Sequence, residues 1–313
     1  CHVNLALASK PLEPLDTLLR APPEPGFVGR LEAIALQLQR AVGLDTDAAI
    51  ASILIQREGR YSVRRMMHSA ILCDLIAVEL GQTAQQRLAL SCAALSMNIA
   101  MLDLQDVLYA QPGPTSAAQR AQVHMHTQEG VAMLRARGVT DEAWLALVAQ
   151  HHETIDGRGY PRQLQGNAIT SSAQLLSLAD RYGAMATGRA YREAALPNLV
   201  LKQIFMEKDK SVDASLATLL VKTVGIYPPG SAVELANGDI AIVVKRTRNA
   251  SQPVLRCVKT WRKEILDHPR KRMTHEPGHA IARLIAASEI GFTPDPEKLW
   301  DGGFEIDSGP ESP

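Results

Sequence analysis

The chain has 313 residues with 33 acidic and 33 basic side chains, enough for one large or two modest domains with a substantial core. The balanced charge carries no basic footprint for a nucleic-acid polymer and no acidic bias toward basic partners. Aromatic residues make up only 4%, against plentiful Ala and Leu, a balance that favours helices over an all-β design.

Four cysteines (Cys1, Cys73, Cys92 and Cys257) lie far apart without metal-knuckle spacing. They read as small buried hydrophobes in a reducing cytoplasm rather than disulfides. No run approaches the roughly 20 apolar residues of a membrane span, and no signal peptide precedes the chain. Cys1 reads as a fragment boundary rather than a lipidated first residue.

In chain order, residues 1–60 read as an N-terminal linker and helical arm. A helix is predicted over Leu12–Arg20, followed by the breaker run Ala-Pro-Pro-Glu-Pro-Gly at 21–26. Helical spacing returns over Arg30–Gln39, and Asp45 or Thr46 is placed to cap a further helix through Ile55. Residues 61–224 read as the main helical domain. A long amphipathic helix runs from Ser62 to Leu80 and stops at Gly81. Thr83 caps the next, to about Ala100. A Pro-Gly-Pro loop at 112–114 leads to Thr115 or Ser116 and the helix carrying His124 and His126. Asp141 starts the helix that ends at His151, and Ser171 or Ser172 the one holding Asp180. Ala194–Phe205 and Ala214–Lys222 supply two more.

From Gly225 the texture turns to strands. A Pro-Pro-Gly turn, alternating apolar residues and an Asn237-Gly238 hairpin signal predict a small appendage of two or three strands over 225–266. Residues 267–313 read as a polar, partly disordered tail.

The densest chemistry lies in His151–Pro161, HHETIDGRGYP. Two imidazoles at a helix end beside carboxylates are competent metal ligands. Asp156-Gly157 and Gly159-Tyr160-Pro161 are turn signals. The string resembles, residue for residue, the signature of the HD-GYP family, and the resemblance extends from about Tyr61 through the C-terminal strands. It implies a mainly α fold: an HD-domain helical bundle closed by a small β-hairpin or three-strand appendage. It also implies a buried His/Asp cluster that holds metal ions and hydrolyses cyclic di-GMP, a phosphodiesterase or phosphohydrolase activity of bacterial signalling in the cytoplasm.

Carried over position by position, the implied metal ligands are His68, His126, His151, His152 and Asp180. The defining His-Asp pair is replaced by Met97 and Asn98, and Met101 stands where the family commonly has a phosphate-contacting lysine. Arg189 and Arg192 match positions that grip ligand phosphates, a task that suits guanidinium groups. Arg64 stands where some members carry a carboxylate for an additional ion. Asn98 is a poor bridging ligand, and the Met97 thioether suits these harder metals badly.

The expectation is therefore at most one divalent metal (iron, manganese or zinc), or none. The residual site would be His126, His151 and His152. Glu153, Asp156, Gly157, Gly159, Tyr160 and Pro161 are read as the motif loop and a partner surface. His124, two residues from His126, falls on another helix face and reads as surface. Asp180 has Arg181 or Arg189 as candidate ion-pair partners. His268, His275 and His279 carry no family match and no assigned role.

On this reading the chain is a cyclic di-GMP signalling domain with a degraded metal site: a non-hydrolytic or weakly active sensor or interaction module. The first alternative is an active metal-dependent phosphodiesterase using a mononuclear three-histidine site. The second is a helical scaffold or dimerisation module. Implied partners are cyclic di-GMP or a related dinucleotide, diguanylate-cyclase (GGDEF) domains, and a second copy of the chain.

Overall fold

The computed structural model describes residues 6–188, 194–208 and 210–300, helices first and strands last. The helices are α1 (Ala6–Ser9), α2 (Leu12–Arg20), α3 (Phe27–Leu44), α4 (Thr46–Ile55), α5 (Tyr61–Glu79), α6 (Ala84–Ser96), α7 (Leu102–Ala110), α8 (Ala117–Ala136), α9 (Glu142–Gln150), α10 (Ser171–Ala186), α11 (Pro197–Met206) and α12 (Ala214–Val224). Two short helices, α13 (Ala287–Ile290) and α14 (Pro296–Trp300), follow the strands.

Side-chain caps fix where several helices begin, because the first turn leaves backbone N–H groups without partners. The Asp45 carboxylate accepts from the Ala48 N–H at 2.9 Å. Thr83 with Gln86, and Ser116 with Gln119, form reciprocal capping boxes at α6 and α8. The Asp141 carboxylate accepts from Ala143 and Trp144 at the start of α9.

Helix α5 is the axis of the bundle. It is buried over most of its length and packs against α2, α3, α4, α6, α7, α10 and α12, as a helix with apolar residues on nearly every face must. Leu15, Leu19, Phe27, Leu31 and Leu38 of α2 and α3 share one core with Val63, Leu72 and Leu176. The Ala21 carbonyl accepts from Arg137 at 3.0 Å. The N-terminal segment read as a linker and arm is thus packed into the bundle.

The helix predicted to run to about Ala100 ends at Ser96, and a turn at Met97-Asn98 and a 3₁₀ segment (Ile99–Met101) separate α6 from α7. Ala84–Ala110 is apolar and long enough to cross a membrane by composition, but 72% of its most apolar window is buried inside the protein. Burial of that kind suits a core segment.

The strands β1 (Ala232–Leu235), β2 (Ile240–Lys245), β3 (Val254–Lys259), β4 (Ile265–Met273) and β5 (Ile281–Ile285) form one sheet in the order β4-β3-β2-β1-β5. All its pairings are antiparallel, and Ala232 stands opposite both Ile242 and Ile285. The predicted hairpin turns at Gly238, with φ +85°. One face (Ala232, Ile242, Val244, Ile285) packs on Ala48 and Ala51 of α4 and on Trp300. The other carries Val233, Leu235, Val243 and Leu255 against Leu196 and Tyr227. Gly230 lets the sheet approach α4, since a Cβ there would lie 2.9 Å from the Ala51 carbonyl oxygen.

The mainly α reading is borne out, and the appendage is larger than predicted, with five strands instead of three. Residues 265–285, read largely as tail, supply β4 and β5. β4 escapes a pattern search because it is a charged edge strand, Ile-Leu-Asp-His-Pro-Arg-Lys-Arg-Met, half-exposed or exposed throughout.

Candidate metal centre and ligand cleft

Three histidines, one from mid-helix and two from a helix end, meet at one point. His126 lies on α8, His151 caps the end of α9, and His152 follows it. Their ligand atoms all lie within 4.8 Å of one another. The backbone orients two of the rings. His151 Nδ1 lies 2.8 Å from the Val148 carbonyl oxygen, and His126 Nδ1 is bonded to the Val123 carbonyl oxygen.

A carbonyl can only accept, so both Nδ1 atoms are N–H donors and both Nε2 atoms present lone pairs. Those two Nε2 atoms face each other at 3.2 Å. Two lone pairs at that distance need a cation or a proton between them, and backbone carbonyls on the far nitrogens are what a metal-binding imidazole requires. Burial also keeps the trio neutral. It lowers the His126 pKa to about 3, with His151 adding to the effect. It lowers His151 as well, and His152 well below its ordinary value with further help from His151 and His126.

The following loop is built on a buried carboxylate. Glu153, only 2% exposed, accepts from the Arg162 N–H at 2.7 Å and the Leu164 N–H at 2.9 Å. The Tyr160 N–H donates to the His152 carbonyl at 3.1 Å. Gly159 is irreplaceable on steric grounds, because a Cβ there would lie 2.5 Å from backbone atoms of His152, Glu153 and Thr154. Gly157 has φ +74°, and the Tyr160-Pro161 peptide is cis.

The folded-back loop sets the Tyr160 ring between two imidazoles, stacked on His152 at 4.7 Å and on His124 at 4.3 Å. Glu153 and Gly159 are therefore interior supports, which corrects their reading as partner surface. Exposed Asp156 turns away from the histidines, and its carboxylate accepts from the Thr154 hydroxyl at 2.6 Å and the Arg158 N–H at 3.2 Å. His124 is exposed as expected, yet it completes the stack.

The other half of the centre lies between α5 and α10. Asp180 does not pair with the predicted Arg181, and Arg189 lies outside the described residues. Arg65 Nε donates to its Oδ1 and Arg65 Nη2 to its Oδ2, each at 2.7 Å, while Arg65 Nη1 donates to the Tyr61 hydroxyl at 3.2 Å. The pair is well buried, with side chains 12% and 5% exposed. Burial alone would raise the Asp180 pKa, but the charge and hydrogen bonds of Arg65 hold it below the usual carboxylate range. Arg181 pairs instead with Glu207 at 2.5 Å.

His68, one turn along α5 from Arg65, is buried, and its Nδ1 has no partner among the described residues. Burial, with Arg64 and Arg57, lowers its pKa to about 3. Arg65 was missed in the sequence. The available signal was its i, i+3 spacing to His68, which sets both on one helix face.

Met97 and Asn98 occupy the turn after α6, both buried. The Asn98 backbone carbonyl accepts from the Met101 N–H at 2.9 Å, but its side-chain Oδ1 has no protein partner. Met101 is half-buried. Arg189 and Arg192 lie outside the described residues. His279 pairs with Glu276 on the sheet. A cleft of about 400 Å³ opens beside the centre, lined by Arg65, His152, Gln174, Asp180, Arg181 and Gln203 among others.

The sequence profile of the HD-domain family matches residues 34–216, more than half of the chain. The chain belongs to that family. Its His151–Pro161 loop and its relatives place it with the HD-GYP proteins. A cyclic di-GMP phosphodiesterase of Pseudomonas aeruginosa is 28% identical over 185 residues, 58% of this chain and 44% of the relative. A 3'3'-cGAMP-specific phosphodiesterase of Vibrio cholerae is 23% identical over 54% of this chain and 32% of the relative. The chain thus spans less than half the length of these relatives. The solved structure of an HDG"Y"P protein from Bdellovibrio bacteriovorus superposes with a TM-score of 0.58 at 17% identity, covering 69% of each chain, a likeness of fold.

The donor set fits one divalent ion on His126, His151 and His152. It does not fit a bridged pair. The trio contains no carboxylate, Asn98 is a neutral amide, and both oxygens of Asp180 are engaged by a guanidinium.

Proposed function

We propose that the chain is a cyclic-dinucleotide signalling domain that works by binding, with little or no hydrolysis. The observation that carries this reading is the contrast within the centre: three oriented neutral imidazoles on one side, and an aspartate already paired with arginine on the other. The relatives act on cyclic di-GMP and on 3'3'-cGAMP, which supports cyclic dinucleotides as the ligand class. The cleft beside His152 and Asp180 is lined by the amides of Gln174 and Gln203, donors and acceptors suited to phosphate and purine edges.

A divalent ion on the trio would supply Lewis acidity. A single ion cannot clamp both the attacking and the leaving oxygen of an in-line displacement, which supports binding over turnover. The facing Nε2 lone pairs favour a second reading, a slow mononuclear phosphodiesterase. Partner docking on the loop, with a diguanylate-cyclase domain or a second copy of the chain, would read out the bound state through Asp156, Tyr160 and Pro161.

Calorimetric titration of the protein with cyclic di-GMP and with 3'3'-cGAMP tests the proposal, alongside product analysis in Mn²⁺ and in Fe²⁺. Saturable binding with product near background is expected. Metal-stimulated turnover that is lost in His151→Ala would establish the second reading instead. Binding of neither dinucleotide would leave the chain a scaffold.

A further inference from the structure

Asp180 presents a charge problem that the fold has already solved. A carboxylate buried between α5 and α10 needs a cation, because an ionised group taken from water without a partner is strongly disfavoured. In this chain the cation is covalently attached. The planar fork of Arg65 matches both carboxylate oxygens at 2.7 Å. Its third nitrogen is steadied by the Tyr61 hydroxyl, and the Tyr61 ring is in turn stacked on Tyr109 at 4.0 Å. The pair is reached from the cleft, which both residues line.

We propose that Arg65 is a built-in replacement for a divalent ion at Asp180, so that Asp180 is not a metal ligand in this chain and ion binding is confined to His126, His151 and His152. The confinement to the trio rests on the single-ion reading given above. The assignment of Arg65 does not, because it follows from the geometry of the α5–α10 pair alone. A dication placed at Asp180 would have to displace a bidentate guanidinium or sit beside it, and the other carboxylates that line the cleft, Glu153 and Asp213, already accept from backbone N–H groups. Asn98 and Met97, the other side chains that the sequence aligns with this half, are both uncharged.

The test uses the full chain, Mn²⁺ and Zn²⁺ as probes, and two variants: Arg65→Met and the double variant Arg65→Met/Asp180→Asn, which removes both charges at similar volume. The double variant should bind the wild-type number of ions with affinity within about threefold. Loss of an ion, or a tenfold fall in affinity, would show that Asp180 ligates metal and would overturn the proposal. Arg65→Met alone leaves the carboxylate without its cation. Its unfolding temperature should fall in chelator and rise on adding Mn²⁺ by clearly more than that of the double variant, which gains only what ion binding at the trio supplies.

A folded Arg65→Met protein whose rise does not exceed that of the double variant would overturn the proposal. If that variant does not fold, ion counting on the double variant still decides. A wild-type chain that loads no ion, combined with Mn²⁺ rescue of Arg65→Met, would sink the trihistidine site and leave the role of Arg65 standing.

Discussion

Around His126 and His151 the side chains leave lone pairs facing one another, whereas both carboxylate oxygens of Asp180 face donors of Arg65. The trihistidine half is built from the middle of α8 and the end of α9, whose backbone carbonyls fix the tautomers of His126 and His151, so it is oriented before any cation arrives. The α5–α10 half carries its own cation on the chain. At an effective dielectric near 20, two unit charges about 4 Å apart interact by roughly 4 kcal/mol, and a dication doubles that. Repulsion of that size from Arg65 is enough to set the two halves apart as ion sites. The difference teaches that a buried carboxylate can be neutralised by a cation carried on the chain itself.

Acid should break both halves at once, and it is the largest expected effect. His68 in one half and His126 in the other each have a pKa lowered from 6.5 to about 3 by burial. In the unfolded chain they take up protons below about pH 6.5, and in the folded chain only near pH 3, so the unfolded state binds more protons throughout that window. Stability is full above pH 6.5 and drains as pH falls toward 3, by an amount on the order of 5 kcal/mol per histidine. Urea unfolding of chelator-treated protein between pH 7 and 4 checks this. A flat profile would mean that the rings are not buried and neutral.

Breaking only the α5–α10 half comes next. Arg65→Met should destabilise the chelated protein by about 3–5 kcal/mol, because it leaves an uncompensated buried carboxylate. The paired variant with Asp180→Asn should recover most of that loss, as measured by denaturant midpoint. Breaking only the loop beside the trio should cost less. In Gly159→Ala the new Cβ must push against three backbone atoms, an overpacking worth about 1–3 kcal/mol. The same change should displace Tyr160 and His152, weakening ion binding at the trio while the Arg65–Asp180 pair stays intact.

The unequal legibility of these regions has a physical basis. The turn and the helix caps are local: Gly159, Thr83 and Ser116 act within a dozen residues of themselves, so turn and capping chemistry exposes them in a single pass along the chain, whereas the buried role of Glu153 shows only once the loop is folded. The reading of Met97 and Asn98 at the His-Asp positions likewise needs only a position in the sequence and no contact. Arg65 was not visible as the partner of Asp180. The two are 115 residues apart in sequence, and only the packing of α5 on α10 chooses Arg65 over Arg181, which lies next to Asp180 in the chain but faces Glu207. Strand β4 stayed hidden for a related reason, because an edge strand carrying Arg270, Lys271 and Arg272 meets solvent and shows no apolar alternation. The role of His124 was missed because helix periodicity describes faces of α8 and says nothing of a loop that folds back over one of them.

That stack gives the smallest and most local way to sharpen the comparison. His124 packs on one side of the Tyr160 ring and His152 on the other, at 4.3 and 4.7 Å. An aromatic pair of this kind is worth about 0.5–1.5 kcal/mol beyond its buried area, and the exposure of His124 places it at the low end. His124→Ala should therefore lower stability by about 0.5 kcal/mol and leave the Arg65–Asp180 half untouched. If Tyr160 helps hold His152 in the trio, the same variant should also loosen Zn²⁺ binding by a small factor, roughly twofold, while His124→Phe should preserve it. Equal Zn²⁺ affinity in wild type, His124→Ala and His124→Phe would mean that the backbone carbonyls alone orient the trio, and that the stack serves only to fix the loop.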